Sequence, residues 1–269
     1  MEDANIILLQ RQQLHGSSMP LFLVHDGSGS VGSYSRLGDL GRDTWAIENL
    51  KVQEDGTWIG GIQAMAELYC QIIQDVFPQG DIILGGWSMG GLISMEMSHI
   101  FAQDPDINVI GVVMIESIFP GLLNEQNITV EPQDLCFKGT VSFFEQRKAA
   151  KLILEATSVA KSYVSAMWTP DVPRHSELGH RKIASNSGAL RKANLNPPAP
   201  LVLVKARDPV PSRQNTVIPP MLGWDHLGDR WITVAYTVPG HHFSIFEDEN
   251  VDYLASILGE ACVILEMSL

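Results

Sequence analysis

Asp81-Ile82-Ile83-Leu84-Gly85-Gly86-Trp87-Ser88-Met89-Gly90-Gly91-Leu92-Ile93 passes from an apolar run to a helical pattern through a serine set among glycines. Asp81 to Leu84 has the length and bounding of a buried strand, and Leu92 to Phe101 reads as a helix. Between them Gly86-Trp87-Ser88-Met89-Gly90 has the form G-x-S-x-G. A strand that turns at once into a helix forces the residue at the turn into a strained conformation. Glycines two positions to either side let neighbouring backbone pack close. Ser88 then stands at a helix amino terminus with its hydroxyl exposed and the N–H of Met89 free to donate. The competing reading, in which Ser88 only caps a helix, leaves the paired glycines unexplained.

Working outward, further runs share the character of buried parallel strands: Leu21 to Val24, Val109 to Ile115, Leu201 to Val204 and Trp231 to Val238. Helical patterns alternate with them, at Ile62 to Val76 and at Val251 to Leu265. The alternation predicts an α/β fold with a doubly wound, mostly parallel sheet flanked by helices. Phe119 to Asn196 breaks the rhythm: it lacks a clear strand and carries helix-like runs over Thr140 to Thr157 and Val159 to Met167. The expectation is one domain over 1–269, with a core of about 1–118 and 197–269. Residues 119–196 then form a helical lid insertion over the carboxyl edge of the sheet, where such sheets bind ligands.

Composition narrows the function. The 269 residues are 45% hydrophobic, enough for a sizeable core, and carry 18 basic against 31 acidic residues for a net charge of −13. Such acidity does not suit a phosphate backbone or an anionic membrane, so neither nucleic acid nor membrane is expected as a partner. The charge is uneven. Lys138 to Lys192 holds ten basic and four acidic residues, which leaves 8 basic and 27 acidic elsewhere. Cys70, Cys136 and Cys262 are odd in number and widely spaced, which argues against a disulfide framework or a zinc site and fits a reduced, cytoplasmic setting. No apolar run approaches the roughly 20 residues of a membrane span, and Ile6 to Leu9 is too short for the core of a signal peptide.

A serine nucleophile needs a base, an acid to orient the base, and donors for the oxyanion. Gly240-His241-His242-Phe243 follows a strand-like run and offers two adjacent histidines, with His226 a remote third. For the acid, Glu116 ends the strand after the Ser88 helix and Asp208 ends the strand after the lid. Either could orient an imidazole, and one suffices. The backbone N–H groups of Met89 and of the loop His25 to Gly29 are the expected oxyanion donors.

These residues resemble a known family. The chain is similar to type I thioesterase domains of the α/β-hydrolase superfamily, of the kind that end fungal polyketide synthases and nonribosomal peptide synthetases. Leu21-Phe22-Leu23-Val24-His25-Asp26-Gly27-Ser28-Gly29-Ser30 resembles the family's opening strand and oxyanion loop. Gly85 to Gly91 resembles its elbow, Trp87 included. Val238-Pro239-Gly240-His241-His242-Phe243 resembles its histidine motif, and Leu222-Gly223-Trp224 also looks familial. The matches run in order along nearly the whole chain. The resemblance implies His242 as the base and Gly27 as the second oxyanion donor. It also implies an acid at the end of the strand after the elbow, where an Ile-Asp-Ser pattern is here Ile115-Glu116-Ser117. Glu116 is thus favoured, with Asp208 as its rival. Ile6-Ile7-Leu8-Leu9-Gln10 resembles the linker that follows a carrier domain.

The function so implied is release of a polyketide or peptidyl acyl chain from the phosphopantetheine of an acyl or peptidyl carrier protein, in cis or in trans. It proceeds through an acyl-Ser88 intermediate, by hydrolysis or cyclisation, without metal or diffusible cofactor. Carrier proteins are acidic, so the basic segment, with Arg174, Arg181, Lys182, Arg191 and Lys192, is the expected docking face. Two alternatives stand beside this reading: a free-standing serine esterase acting on diffusible esters, and a non-catalytic carrier-docking module.

Overall fold

The computed structural model describes residues 4–12, 18–55, 60–125, 134–135, 143–163, 197–213, 219–228 and 230–268. In chain order the elements are β1 (Ala4–Gln10), β2 (Leu21–Val24), β3 (Thr44–Asn49), α1 (Leu50–Asp55), α2 (Gly61–Val76), β4 (Gly80–Trp87) and α3 (Met89–Phe101). There follow β5 (Ile107–Ile115), α4 (Pro120–Glu125), α5 (Phe143–Ser162), β6 (Leu201–Ala206), β7 (Val234–Val238) and α6 (Val251–Met267). The seven strands form one sheet in the order β1-β3-β2-β4-β5-β6-β7. β1 is antiparallel to β3, and every other pair is parallel.

The unbroken apolar strands have a physical reason. Phe22, Val24, Ile82, Leu84, Val112, Met114, Leu201 and Leu203 point to one face and pack with residues of α2 and α3. Their neighbours Leu21, Leu23, Ile83, Val113, Ile115, Val202 and Val204 point to the other, where α6 contributes Leu254, Ile257, Leu258, Ala261 and Leu265. A strand covered on both sides has no polar face to alternate with. The α/β sheet flanked by helices is therefore the one expected from the sequence.

Some expectations need correction. Ile6 to Gln10 is not linker but part of β1, an edge strand that pairs with β3. β3 itself is interrupted in sequence by Thr44, Glu48 and Asn49, which hide its apolar character. The helical run read from Thr140 and the next from Val159 are one helix, α5, as far as Ser162. β7 begins at Val234 rather than Trp231, whose indole instead stacks on Trp224. Cys70 and Cys262 are buried free thiols, and Cys136 lies outside the described residues. Among the described residues no helix is long and apolar enough to cross a membrane, and no group of three or more His, Cys, Asp or Glu could hold a metal ion.

Candidate active site

The turn between β4 and α3 is as tight as the glycine pattern requires. Ser88 has φ 57° and ψ −117°, a conformation that side chains rarely adopt, and its N–H donates to the carbonyl of Ile115 at 2.7 Å. A Cβ on Gly86 would lie 2.4 Å from the backbone of Gly90, and one on Gly90 would lie 2.4 Å from the carbonyl oxygen of Val24. The two glycines let strand, elbow and helix pack backbone against backbone, and no larger residue fits either place.

Tyr34 joins the elbow to the early loop. Its hydroxyl donates to the carbonyl of Val24 at 2.6 Å and accepts the N–H of Trp87 at 2.8 Å. The residue before Ser88 and the end of β2 are thus held by one buried phenol. Beyond β2, His25 is fully buried. Its Nδ1 lies 2.7 Å from the carbonyl oxygen of Asp26, and its Nε2 lies 2.7 Å from the Tyr69 hydroxyl. A carbonyl can only accept, so Nδ1 carries the proton and the tyrosine donates to Nε2. Burial lowers the pKa of this imidazole to about 4, so it is neutral. The Asp26 carboxylate accepts from both the N–H and the hydroxyl of Ser28, which bends the chain around Gly27. Burial raises the pKa of Asp26, and the bonds from Ser28 oppose that shift.

Glu116, at the end of β5, also has a left-handed backbone, with φ 51°. Its N–H donates to Val204 at 2.7 Å and one carboxylate oxygen accepts the N–H of Ala206, so β6 fixes it at both ends. The other oxygen lies 3.1 Å from Nδ1 of His242. An ionised carboxylate only accepts, so Nδ1–H donates and Nε2 keeps its lone pair. Asp208 is exposed and ion-paired with Arg207, and it accepts the N–H of Gly240 at 3.2 Å. It thus holds the backbone of the histidine loop, while Glu116 holds the imidazole. His241 turns away, its N–H donating to Ser244 and its Nδ1 accepting from Phe243. The indole of Trp87 packs beside His242, with ring centroids 5.6 Å apart.

One cavity brings these groups together: Ser88, His242, Glu116, Gly27, Met89 and Asp26 all line it. The rest of its wall is apolar, with Leu92 of α3, Ile118, Leu123, Phe243 and a face of α5 made by Ile153, Ala156, Thr157 and Ala160. α5 comes close: a Cβ on Gly27 would be 3.0 Å from that of Ala156. The opposite side of α5 exposes Arg147, Lys148 and Lys151. The docking cations expected from the sequence, Arg174, Arg181, Lys182, Arg191 and Lys192, lie outside the described residues.

Tyr34 escaped the sequence reading because its bonds reach ten and fifty-three residues away and leave no local pattern. Trp224 carried a signal without a role. Its buried indole N–H donates to the carbonyl of Ser117 at 2.7 Å and its ring packs on Phe119, which braces the loop after Glu116.

A strained serine beside a histidine–carboxylate pair, on a parallel sheet and under a helix, defines a hydrolase of the α/β type, and comparison with known proteins agrees. The thioesterase domain family matches residues 19–262, and this chain belongs to that family of enzymes. It is 33% identical to the probable thioesterase gloN of Glarea lozoyensis, over 97% of each chain. It is 32% identical to thioesterase frbD of a Dothideomycetidae species, over 96% of this chain and 94% of that one. A match of 28% identity covers 92% of this chain but 8% of the nonribosomal peptide synthetase imqB of Aspergillus flavus. Among solved structures, the thioesterase domain of NocB from the nocardicin cluster, as a covalent complex with a fluorophosphonate nocardicin G analogue, superposes with a TM-score of 0.63. It does so at 18% identity over 96% of this chain and 98% of that one, a likeness of fold.

Proposed function

We propose that this thioesterase acts in secondary metabolism, releasing a polyketide or peptidyl acyl chain from the phosphopantetheine arm of an acyl or peptidyl carrier protein through an acyl-Ser88 intermediate. The observation that carries the reading is the His242–Glu116 pair lining one apolar cavity with the strained Ser88. In the first half-reaction Ser88 Oγ attacks the thioester carbonyl while Nε2 of His242 takes its proton. The tetrahedral oxyanion accepts from the N–H groups of Gly27 and Met89. The carbon–sulfur bond then breaks, and His242 returns the proton to the departing thiol. In the second, water or a nucleophile within the acyl chain gives its proton to His242 and attacks the ester, and Ser88 is released protonated. Glu116 keeps Nδ1–H oriented throughout and stabilises the imidazolium. Every step uses groups of the chain, its substrate and water, so the scheme calls on no metal or cofactor.

The likeness to a segment of imqB supports a carrier as partner, because it places a related domain within a nonribosomal peptide synthetase. The basic stretch from Lys138 to Lys192, with exposed Arg147, Lys148 and Lys151, is the docking face that complements an acidic carrier. In this reading the lid of the single domain over 1–269 is residues 119–196, whose α4 and α5 contribute Leu123, Ile153, Ala156, Thr157 and Ala160 to the cavity wall, and the enzyme works in the cytoplasm. The test is mass spectrometry of a loaded carrier mixed with the enzyme. The expected result is free acid or cyclised product from wild type, none above background from Ser88→Ala, and fluorophosphonate labelling of wild type alone. Turnover of simple aryl esters with no release from the carrier would overturn it in favour of an esterase.

A further inference from the structure

We infer that the side chain of Asp26 is a polar subsite of the cavity, which accepts a hydrogen bond from an O–H or N–H that the acyl chain carries close to its thioester carbonyl. This deepens the reading above and rests on it. Of the polar side chains that line the cavity, Ser88, His242 and Glu116 are used by the chemistry. The Thr157 hydroxyl donates to the carbonyl of Ile153 at 2.8 Å, one turn back in its own helix, and the indole nitrogen of Trp87 is buried. Asp26 remains. One of its carboxylate oxygens accepts from the N–H of Ser28 at 2.7 Å and from the Ser28 hydroxyl at 2.5 Å. The other oxygen has no hydrogen-bond partner among the described residues. It is not a buried orphan either, so it is accessible, and the surface that Asp26 lines is the cavity.

The place of this oxygen fixes where on the substrate its donor must be. Asp26 and Gly27 share the peptide group whose N–H meets the oxyanion in the proposed mechanism, and the His242 imidazole is near enough to stabilise the Asp26 charge. The carboxylate therefore stands at the reacting end of the acyl chain. An acceptor there has two consequences. When an acyl chain displaces water from the cavity, a carboxylate oxygen that meets no donor is left desolvated. It also lies close to the negative charge that develops on the substrate oxygen, with which it shares its sign. A hydroxyl or amine at the α or β carbon relieves both, because it supplies the missing bond and sets a positive hydrogen against the carboxylate. A saturated hydrocarbon relieves neither. The occupant that fits has an O–H or N–H at one of those carbons and an apolar remainder against Leu92, Ile118 and Phe243.

The test is the kcat/KM of wild type and Asp26→Asn on N-acetylcysteamine thioesters of hexanoic acid and of its β-hydroxy, α-amino and β-methoxy derivatives. Asparagine keeps an oxygen for Ser28 and turns the free acceptor into a donor. Wild type should favour the hydroxy or the amino substrate over plain hexanoyl by about tenfold or more, with no gain for methoxy, which lacks a donor. In Asp26→Asn the amino preference should be lost, and hydroxy and methoxy should become equal, because the amide donates to either oxygen. A gain with the hydroxyl alone assigns the donor as an alcohol, and a gain with the amine alone assigns it as an ammonium. No gain with either would overturn the subsite. So would a loss in Asp26→Asn that is the same on every substrate and comes with a shifted pH profile, since Asp26 would then act through the charge of His242. The wild-type comparison decides alone if the variant does not fold. Fluorophosphonates bearing the same chains label Ser88 without thioester chemistry. A wild type inactive on every thioester yet labelled with the donor preference would refute the thioester reading and leave the subsite standing.

Discussion

Glu116 stands where the resembling pattern has an aspartate, and the backbone absorbs its extra methylene. The left-handed φ at this residue and the two bonds to β6 set the carboxylate so that one oxygen is held by Ala206 and the other meets His242. Asp208, the rival by sequence, binds Arg207 and the N–H of Gly240. On the proposed mechanism Glu116→Ala lowers kcat by roughly a thousandfold, because the imidazole loses both its tautomer and the charge opposite its cation. Asp208→Ala should cost less than about tenfold, since it loosens a loop that Glu116 still grips. Steady-state kinetics of the two variants on one thioester checks the order. A larger loss for Asp208→Ala would exchange their roles. Ser88 and the adjacent His241 and His242 stood out as candidates because their motifs are local. The choice between two carboxylates was not, because it depends on which strand end faces the histidine loop.

At the scale of elements, the strands buried on both faces announce themselves in sequence, as do the amphipathic α2 and the closing α6. β1 and β3 do not. They form the sheet's outer pair, and β3 is read through its buried polar ends, Thr44 and Asn49, whose partners are distant or on neighbouring turns. The joint between β2 and the elbow was equally hidden, since it depends on Tyr34. Tyr34→Phe keeps the ring on Phe246 but leaves the buried N–H of Trp87 without its acceptor. The expected cost is about 1–3 kcal/mol of stability by urea unfolding, with a fall in kcat larger than any change in KM. Unchanged unfolding would show that the joint carries no strain from the turn at Ser88.

Across the whole molecule, the acidity read from composition bears on partners, whereas one part of the pH response rests on the buried His25 and its neighbour Asp26. Burial lowers the pKa of His25 from 6.5 to about 4. Between those values the unfolded chain binds a proton that the folded one refuses. The stabilisation is therefore complete above pH 6.5, declines as pH falls toward 4, and is level below. Asp26 acts with the opposite sign: its raised pKa gives a contribution that is full below 3.8 and is lost as pH rises through the folded value. Against a His25→Gln variant, wild type should lose about 3 kcal/mol of relative stability between neutral pH and pH 4. Parallel pH curves for the two proteins would assign the acid sensitivity elsewhere.

The near contact of Ala156 with Gly27 couples two parts of this molecule that are far apart in sequence. On the proposed mechanism one of them donates to the oxyanion and the other belongs to the helix that covers it. Free energies of binding are reciprocal. Whatever a well-seated α5 adds to the affinity for an oxyanion, a bound oxyanion returns to the seating of α5. The reaction's most charged moment is then also the moment at which its cover is held most firmly, and collapse of the oxyanion is what gives that hold up.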